Sequence, residues 1–397
     1  MKHIVVAGGG AAGFFAALAC AEANPEYRVT ILEKSQKLLQ KVSISGGGRC
    51  NVTHACFDAR ELVKFYPRGH KQLIGPFSRF NPTHTINWFA QRGVQLKTES
   101  DGRMFPVTDS SQTIINCFIN EANRLKVAIQ LGAGIDKLTP VNNTWQIQLH
   151  TGKTLVADAI IITAGSSLQV WKMLAATGHT IVPPVPSLFT FNISDKRLQD
   201  LQGLSVSNAT VSITGSKLKT SGPLLITHWG LSGPAILKAS AWGARELAAI
   251  NHRFEIDVNW TGTLTREEVK SELLRNKTEH PKRQPWNHPL FNIPQRLWKA
   301  LTDCEGMNYA DLSKSKIESM AGNLAASHFA VHGKSTFKDE FVTAGGVDLS
   351  EVDFKTMQSK KLNGLYFAGE VLDIDAVTGG FNFQAAWTTG FVAGTSV

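Results

Sequence analysis

"HIVVAGGGAAG", residues 3–13, decides the fold. The first five residues are a short, continuous apolar run, the pattern of a strand buried on both faces. Glycines follow at once, and "AAGFFAALACAEA" then reads as a helix with small residues early. "RVTILEK" (28–34) alternates into a second strand. Strand, Gly-rich turn, helix and strand within about thirty residues make a βαβ unit. At its turn the spacing Gly8-x-Gly10-x-x-Gly13 has a physical reason at each glycine. Gly8 makes the tight turn, Gly10 lets the backbone approach a pyrophosphate, and Gly13 lets helix and strand pack closely. Ala11 and Ala12 open a helix whose unpaired N–H groups and dipole favour negative charge. Glu33 ends the second strand twenty residues after Gly13, followed by Lys34. A carboxylate there accepts from ribose hydroxyls and repels a 2′-phosphate. The loop predicts a dinucleotide without saying which one.

Outward from this unit, "KVSISGGGRCNVT" (41–53) is a second cofactor candidate. Backbone N–H groups of Gly46, Gly47 and Gly48, with Lys41, Ser45, Arg49, Cys50 and Asn51 around them, suit a further contact with the pyrophosphate and the sugar chain beyond it. Cys50 and Cys56 have five residues between them, which on a helix turns the second side chain far from the first and argues against a redox disulfide. Helices are expected at 83–92 and 110–125, a strand at 126–135 carrying Ala133, a hairpin over 144–156, and a buried strand at 158–167 running into Ala164 and Gly165. The proline cluster in "IVPPVPSLFTF" (181–191) marks a crossover between domains. Short alternating stretches follow from 206 to 260 with one helix at 234–249, and 265–327 reads as helical. "EFVTAGGV" (340–347), with Gly345 and Gly346, and "GLYFAGE" (364–370), with Gly369 and Glu370, return to the buried-strand-then-glycine style of the start. The expected organisation is α/β: a Rossmann-like dinucleotide-binding domain in two parts, 1–190 and 335–397, interrupted by a β-rich insert at 191–262 and a helical insert at 263–334.

"GLYFAGEVLDIDAVTGGFNFQAAWTTGFVAG" (364–394) answers which dinucleotide. It reads as a strand, a glycine loop and a closing helix, with Gly380, Phe381, Asn382, Phe383 and Gln384 at the helix start. That return to the first domain resembles two-dinucleotide-fold flavoproteins, which implies a last helix aimed at the pyrimidine end of FAD. Together with "SGGGRCNVT", "GRMFPV" (102–107), "THWGLSGPAIL" (227–237) and "VTAGGV" (342–347), the chain resembles the bacterial NAD(P)/FAD-dependent oxidoreductases of the BaiN-like, aminoacetone-oxidase-like group over essentially its whole length. The resemblance implies an interrupted FAD domain and no single substrate. His54 stands where that family pattern leads one to expect Asn.

Composition bounds the rest. Low charge density and 34 glycines suit a compact enzyme with tight turns. Five cysteines without metal spacing fit reduced thiols and no metal site, no apolar run is long enough for a bilayer, and a strand beginning at His3 leaves no room for a signal peptide; the expected location is cytoplasmic. Net charge is +9, but the basic residues are scattered, and an anionic cofactor or substrate suits them better than nucleic acid does. With one GxGxxG, NAD(P)H is expected to visit as a transient donor. His228 in "ITHWGLSGPAIL" is a candidate proton donor beside a helix expected to be capped by Ser232 with Pro234 in its first turn. Arg103 is a candidate clamp for an anionic small-molecule substrate. Two alternatives stay open: a flavin-dependent RNA-modifying enzyme, and a flavin-binding sensor or scaffold without turnover.

Overall fold

The structure is a computed structural model that describes residues 1–335 and 342–397. By internal contacts the chain divides into two compact units, residues 1–185 with 342–397 and residues 186–341.

The first unit is built on β1 (His3–Ala7), α1 (Ala11–Ala23), β2 (Arg28–Leu32), β3 (Ala128–Gln130), β4 (Ala159–Ile162), β5 (Leu365–Phe367) and the closing helix α2 (Phe381–Ser396). The five strands run parallel in the order β5-β4-β1-β2-β3, and Gln358–Ser359 and Val352–Asp353 extend the β5 edge antiparallel. Parallel strands need both faces covered, which is why β4 is apolar throughout and β1 is apolar after His3. α1 covers one face and is buried along nearly its whole length. It can be, because α2 meets it with glycines: a Cβ at Gly390 would lie 2.7 Å from the Ala12 oxygen, and one at Gly394 2.2 Å from that of Ala16. An aromatic cluster of Phe15, Trp88, Phe118 and Trp387 fills the space beside the two helices.

Several expected elements appear with shifted limits. The helices are Pro82–Ala90 and Ser111–Arg124. The strand expected at 126–135 stops after Gln130, and Ile135–Val141 begins a separate three-stranded antiparallel sheet with the hairpin strands Thr144–Leu149 and Thr154–Ala157. In the proline cluster Ile181–Pro186 is itself a strand, paired only with Thr343–Val347, a two-stranded arrangement that tolerates prolines without N–H donors. Residues 340 and 341 of the strand expected there lie outside the described residues.

The second unit holds a seven-stranded sheet and helices on one core. The β and helical stretches are not separate there. Ser327–Val331, inside the range read as helical, pairs antiparallel with Phe254–Asn259, so the helices Arg266–Glu279, Gln295–Thr302 and Lys314–Ala325 are bracketed by strands of one sheet. The helix expected at 234–249 is two, Pro234–Trp242 and Ala244–Ala249, separated at Gly243.

Candidate functional site

At the turn after β1, each glycine meets a different neighbour. Gly8 has φ +122° and its amide donates to the Leu32 carbonyl at 2.8 Å; a Cβ there would sit 2.6 Å from the Thr163 oxygen. A Cβ at Gly13 would sit 1.8 Å from the Gly8 oxygen. At Gly10, the N-cap of α1, a Cβ would meet nothing within 4 Å. The space in front of the helix is therefore open at the one glycine whose expected purpose is backbone approach. The first i→i−4 bond of α1 is Phe14 N–H to the Gly10 carbonyl, so the amides of Ala11, Ala12 and Gly13 precede the ladder and point out of the helix end. Glu33 braces this turn: one carboxylate oxygen accepts from Gly9 N–H and the other from Ser35 N–H, each at 2.8 Å. The sequence reading gave Glu33 to a ribose; in the fold its first partners are backbone amides.

Around the turn the chain brings together residues far apart in sequence. Gly369 has φ +73°, and its Cβ would lie 2.8 Å from that of Ala12. Glu370 pairs with Lys41 at 2.5 Å and approaches Gly165, while Ala164 flanks Gly8. On the other flank Ala133 N–H donates to the Glu33 carbonyl at 2.8 Å, and Lys34 lies against Gly134. Thus 8–13, 33–34, 41, 133, 164–165 and 369–370 form one neighbourhood.

The second glycine loop is the broken end of the helix Gln40–Gly48. Ser45 is extended and Gly46, Gly47 and Gly48 all have positive φ; a Cβ at Gly47 would meet nothing within 4 Å. The side chains here depart from expectation. The Arg49 guanidinium is not a free donor: it lies 3.9 Å from the Phe105 ring and pairs with Glu99 at 2.6 Å and Asp109 at 3.5 Å. Ser45 donates to the Val42 carbonyl. Cys50 points into the core, where burial pushes its thiol up to about 12; burial also raises Cys56, and all five cysteines are free. With its amide turned so that both ends find partners, Asn51 accepts from Gly380 N–H at 3.0 Å and donates to the Thr53 carbonyl at 3.1 Å. It ties this loop to the start of α2.

Gly379 and Gly380 precede α2 with φ of +132° and +90°. Phe381 stacks on Phe65 at 4.2 Å and on His54 at 4.6 Å, its carbonyl accepting from the Tyr66 hydroxyl. Burial is the first cause lowering the pKa of the His54 ring. Asn382 closes on the backbone of Ala376, and Phe383 stacks on Trp387. Gln384 corrects the sequence reading. Its amide already donates to the Gly380 carbonyl, and its side chain is fully buried, accepting from Thr53 (2.6 Å) and Thr85 (2.9 Å) and donating to Thr388 (3.0 Å). It is a core residue whose amide oxygen and nitrogen both find protein partners. No signal in the sequence separates it from Phe383, because two of the three threonines, Thr53 and Thr85, come from distant elements.

Gly345 and Gly346 are also explained by packing. Their Cβ atoms would strike the backbone of Pro184 and of Val371, at 2.6 and 2.4 Å, so they allow strand and turn to close rather than open a ligand approach. Arg103 is half-buried and paired with Asp101 (2.7 Å) and Glu99 (3.1 Å). His228 belongs to the second unit, exposed in the turn between Lys219–Thr227 and Gly230–Ser232. The helix after it is capped by Gly233 at φ +89°; Ser232 stays in its strand, its hydroxyl accepting from Thr190 at 3.0 Å, while Pro234 takes the first turn as expected.

An open helix N-terminus behind a strained glycine turn, on a five-strand parallel sheet closed by a returning helix, defines a Rossmann-type dinucleotide-binding oxidoreductase. Residues 2–396 match the HI0933-like protein Rossmann domain, and the chain belongs to that family of FAD-dependent oxidoreductases. FAD is its cofactor, and the open faces of Gly10 and Gly47 fit one. Among similar proteins, "Ribosomal RNA dihydrouridine synthase" of Escherichia coli (strain K12) is 26% identical over 97% of this chain and 95% of its own length. "3-dehydro-bile acid delta(4,6)-reductase" of Clostridium scindens is 24% identical over 99% and 98%. A 3-ketosteroid delta1-dehydrogenase from Sterolibacterium denitrificans shares the fold with a TM-score of 0.52 at 11% identity, over 99% of both chains. The resemblance drawn from the GGGRCN and closing motifs is borne out by this family. No helix among the described residues is long and apolar enough to cross a membrane.

Proposed function

We propose that this oxidoreductase reduces a carbon–carbon double bond conjugated to a carbonyl, and that its substrate is uridine in ribosomal RNA. The observation that carries the reading is full-length similarity to proteins whose names describe that chemistry on two substrates. Making dihydrouridine saturates the pyrimidine C5–C6 bond, and a bile-acid delta(4,6)-reductase saturates double bonds of a steroid enone. Both additions place a hydride on the carbon remote from the carbonyl and a proton on the adjacent one. The net charge of +9 favours the polyanionic substrate and reverses the preference drawn from the scatter of charge alone.

FAD, when bound, supplies the two-electron chemistry, and a visiting NAD(P)H is its proposed donor. The protein's part is to hold and orient. The amides of Ala11, Ala12 and Gly13 bind the pyrophosphate over Gly10, and the remaining lone pairs of Glu33 accept from the ribose. The backbone of Gly46–Gly48 and the first-turn amides of Phe381, Asn382 and Phe383 face the ring-bearing half, with Asn51 fixing the two segments to each other. His228 is the proposed proton donor; Arg103, already neutralised by two carboxylates, is given no role. A free unsaturated ketone is the second reading, favoured by the bile-acid reductase. The test is to incubate the yellow protein with NADH or NADPH and unmodified ribosomal RNA, then digest and weigh the nucleosides. Dihydrouridine formed in step with NAD(P)H oxidation is expected. Unchanged RNA alongside reduction of a free dienone would replace this reading with the second.

A further inference from the structure

We infer that RNA docks on a basic face of the second unit formed by residues 281–288 and the helix Gln295–Thr302; this rests on the RNA reading above. From residue 280 to 302 the sequence has no Asp or Glu, but it holds Lys282, Arg283, Arg296 and Lys299. Lys282, Arg283 and Arg296 are exposed, and among the described residues none of the four joins an ion pair. Several cations on the two helices packed nearby are spent on carboxylates: Arg266 and Lys270 pair with Glu318, Arg275 with Glu272, and Lys316 with Asp303, the carboxylate that closes the segment. These four cations therefore stand on a stretch with no carboxylate of its own, whereas much of the charge on the neighbouring helices is paired.

The face is rigid. The Trp298 indole N–H donates to the Pro285 carbonyl at 2.8 Å, Tyr309 N–H to the Arg283 carbonyl and Ala310 N–H to the Pro281 carbonyl, each at 2.9 Å. Arg296 donates to the Asp200 carbonyl. Lys299 lies 5.0 Å from the Trp286 ring, which is half-buried among the cations. Fixed cations interleaved with an accessible ring suit phosphates and a stacked base. A membrane surface would want an apolar face as well, and the apolar side of this helix (Leu297, Trp298, Leu301) is already buried in the core.

The FAD-loaded full-length protein is titrated with a ribosomal RNA fragment across a salt series and, separately, with anionic phospholipid vesicles. Lys282→Ala/Arg283→Ala is compared with the parent and with Lys217→Ala/Lys219→Ala, which removes the same charge from the exposed end of another hairpin. Retained FAD and an unchanged melting temperature certify folding; if the pair fails that check, Arg283→Gln alone takes its place. Two lost contacts to single-stranded RNA should lower the slope of log K against log salt by about 1.4 in the first variant only. Equal slopes in all three proteins, no RNA binding by the parent, or preferential capture by vesicles would overturn the inference. Dihydrouridine formation by the parent is scored independently, so a docking face placed wrongly is distinguishable from a wrong substrate.

Discussion

Gly10 and Gly13 are three residues apart in one motif and are required for opposite reasons. Gly10 faces open space, so a methyl group there harms only what enters that space. Gly13 faces a backbone oxygen at 1.8 Å, so a methyl group there harms the fold itself. Gly10→Ala should change the stability of the flavin-free protein by no more than about 1 kcal/mol, the scale of an N-cap change, while weakening FAD binding. Gly13→Ala should cost about 3 kcal/mol, the upper end of overpacking, before any cofactor is added. Thermal melts of the flavin-free variants and FAD titration by flavin fluorescence separate the two. Parent-like FAD affinity in Gly10→Ala would show that the pyrophosphate does not lie over that residue.

At the scale of elements, α2 is anchored by a buried polar knot as well as by its glycines. Gln384 joins the strand Thr53–His54, the helix Pro82–Ala90 and the next turn of α2 through three threonine hydroxyls. A buried amide with all partners met stabilises; the same site offers a carboxylate no compensating positive charge. Gln384→Glu fits only in its neutral form, its O–H replacing the amide donor to Thr388. Burial then raises the folded carboxyl pKa above the unfolded value of about 4.3. The variant should match the parent at pH 4 and lose stability as pH rises through the folded pKa. A rise of about two units implies a loss of about 3 kcal/mol at pH 7. Denaturant unfolding of both proteins at pH 4 and 7 measures the difference. A pH-independent gap would mean that the side chain reaches solvent and that the knot does not close.

For the whole molecule, the histidines set the response to acid. His3, His54 and His179 in the first unit and His252 in the second all have pKa values lowered, with burial as the first cause in each. A histidine kept neutral by the fold takes up its proton on unfolding, so the native state binds fewer protons. The stability it contributes is present above about pH 6.5 and is lost as pH falls below the unfolded value toward the lowered folded ones. The melting temperature should therefore decline between pH 6.5 and 5, above the range where the paired carboxylates Glu121, Asp195 and Glu351 add their own loss. His179→Gln should reduce that decline, since this ring is almost wholly buried between Thr177 and Ser359. A flat profile down to pH 5 would contradict the assignment.

The sequence by itself determined the βαβ unit, the purpose of each glycine in its turn, the return of the chain end to the first sheet and the flavin class. Those properties are local: a glycine spacing, an apolar run and a strand-then-glycine signature survive in any reading of neighbours along the chain. Tertiary structure alone decided which side chains at the site are free. Arg49 is spent on Glu99 and Asp109, Glu33 on two amides, and Gln384 on three threonines, each with at least one partner the sequence does not place beside it. It also decided that the strand Ser327–Val331 closes the helical stretch onto the β-sheet of the second unit. Hydrogen bonds and ion pairs saturate, so whether a polar group is available to a ligand depends on who else reaches it, and only the folded chain brings those competitors into reach.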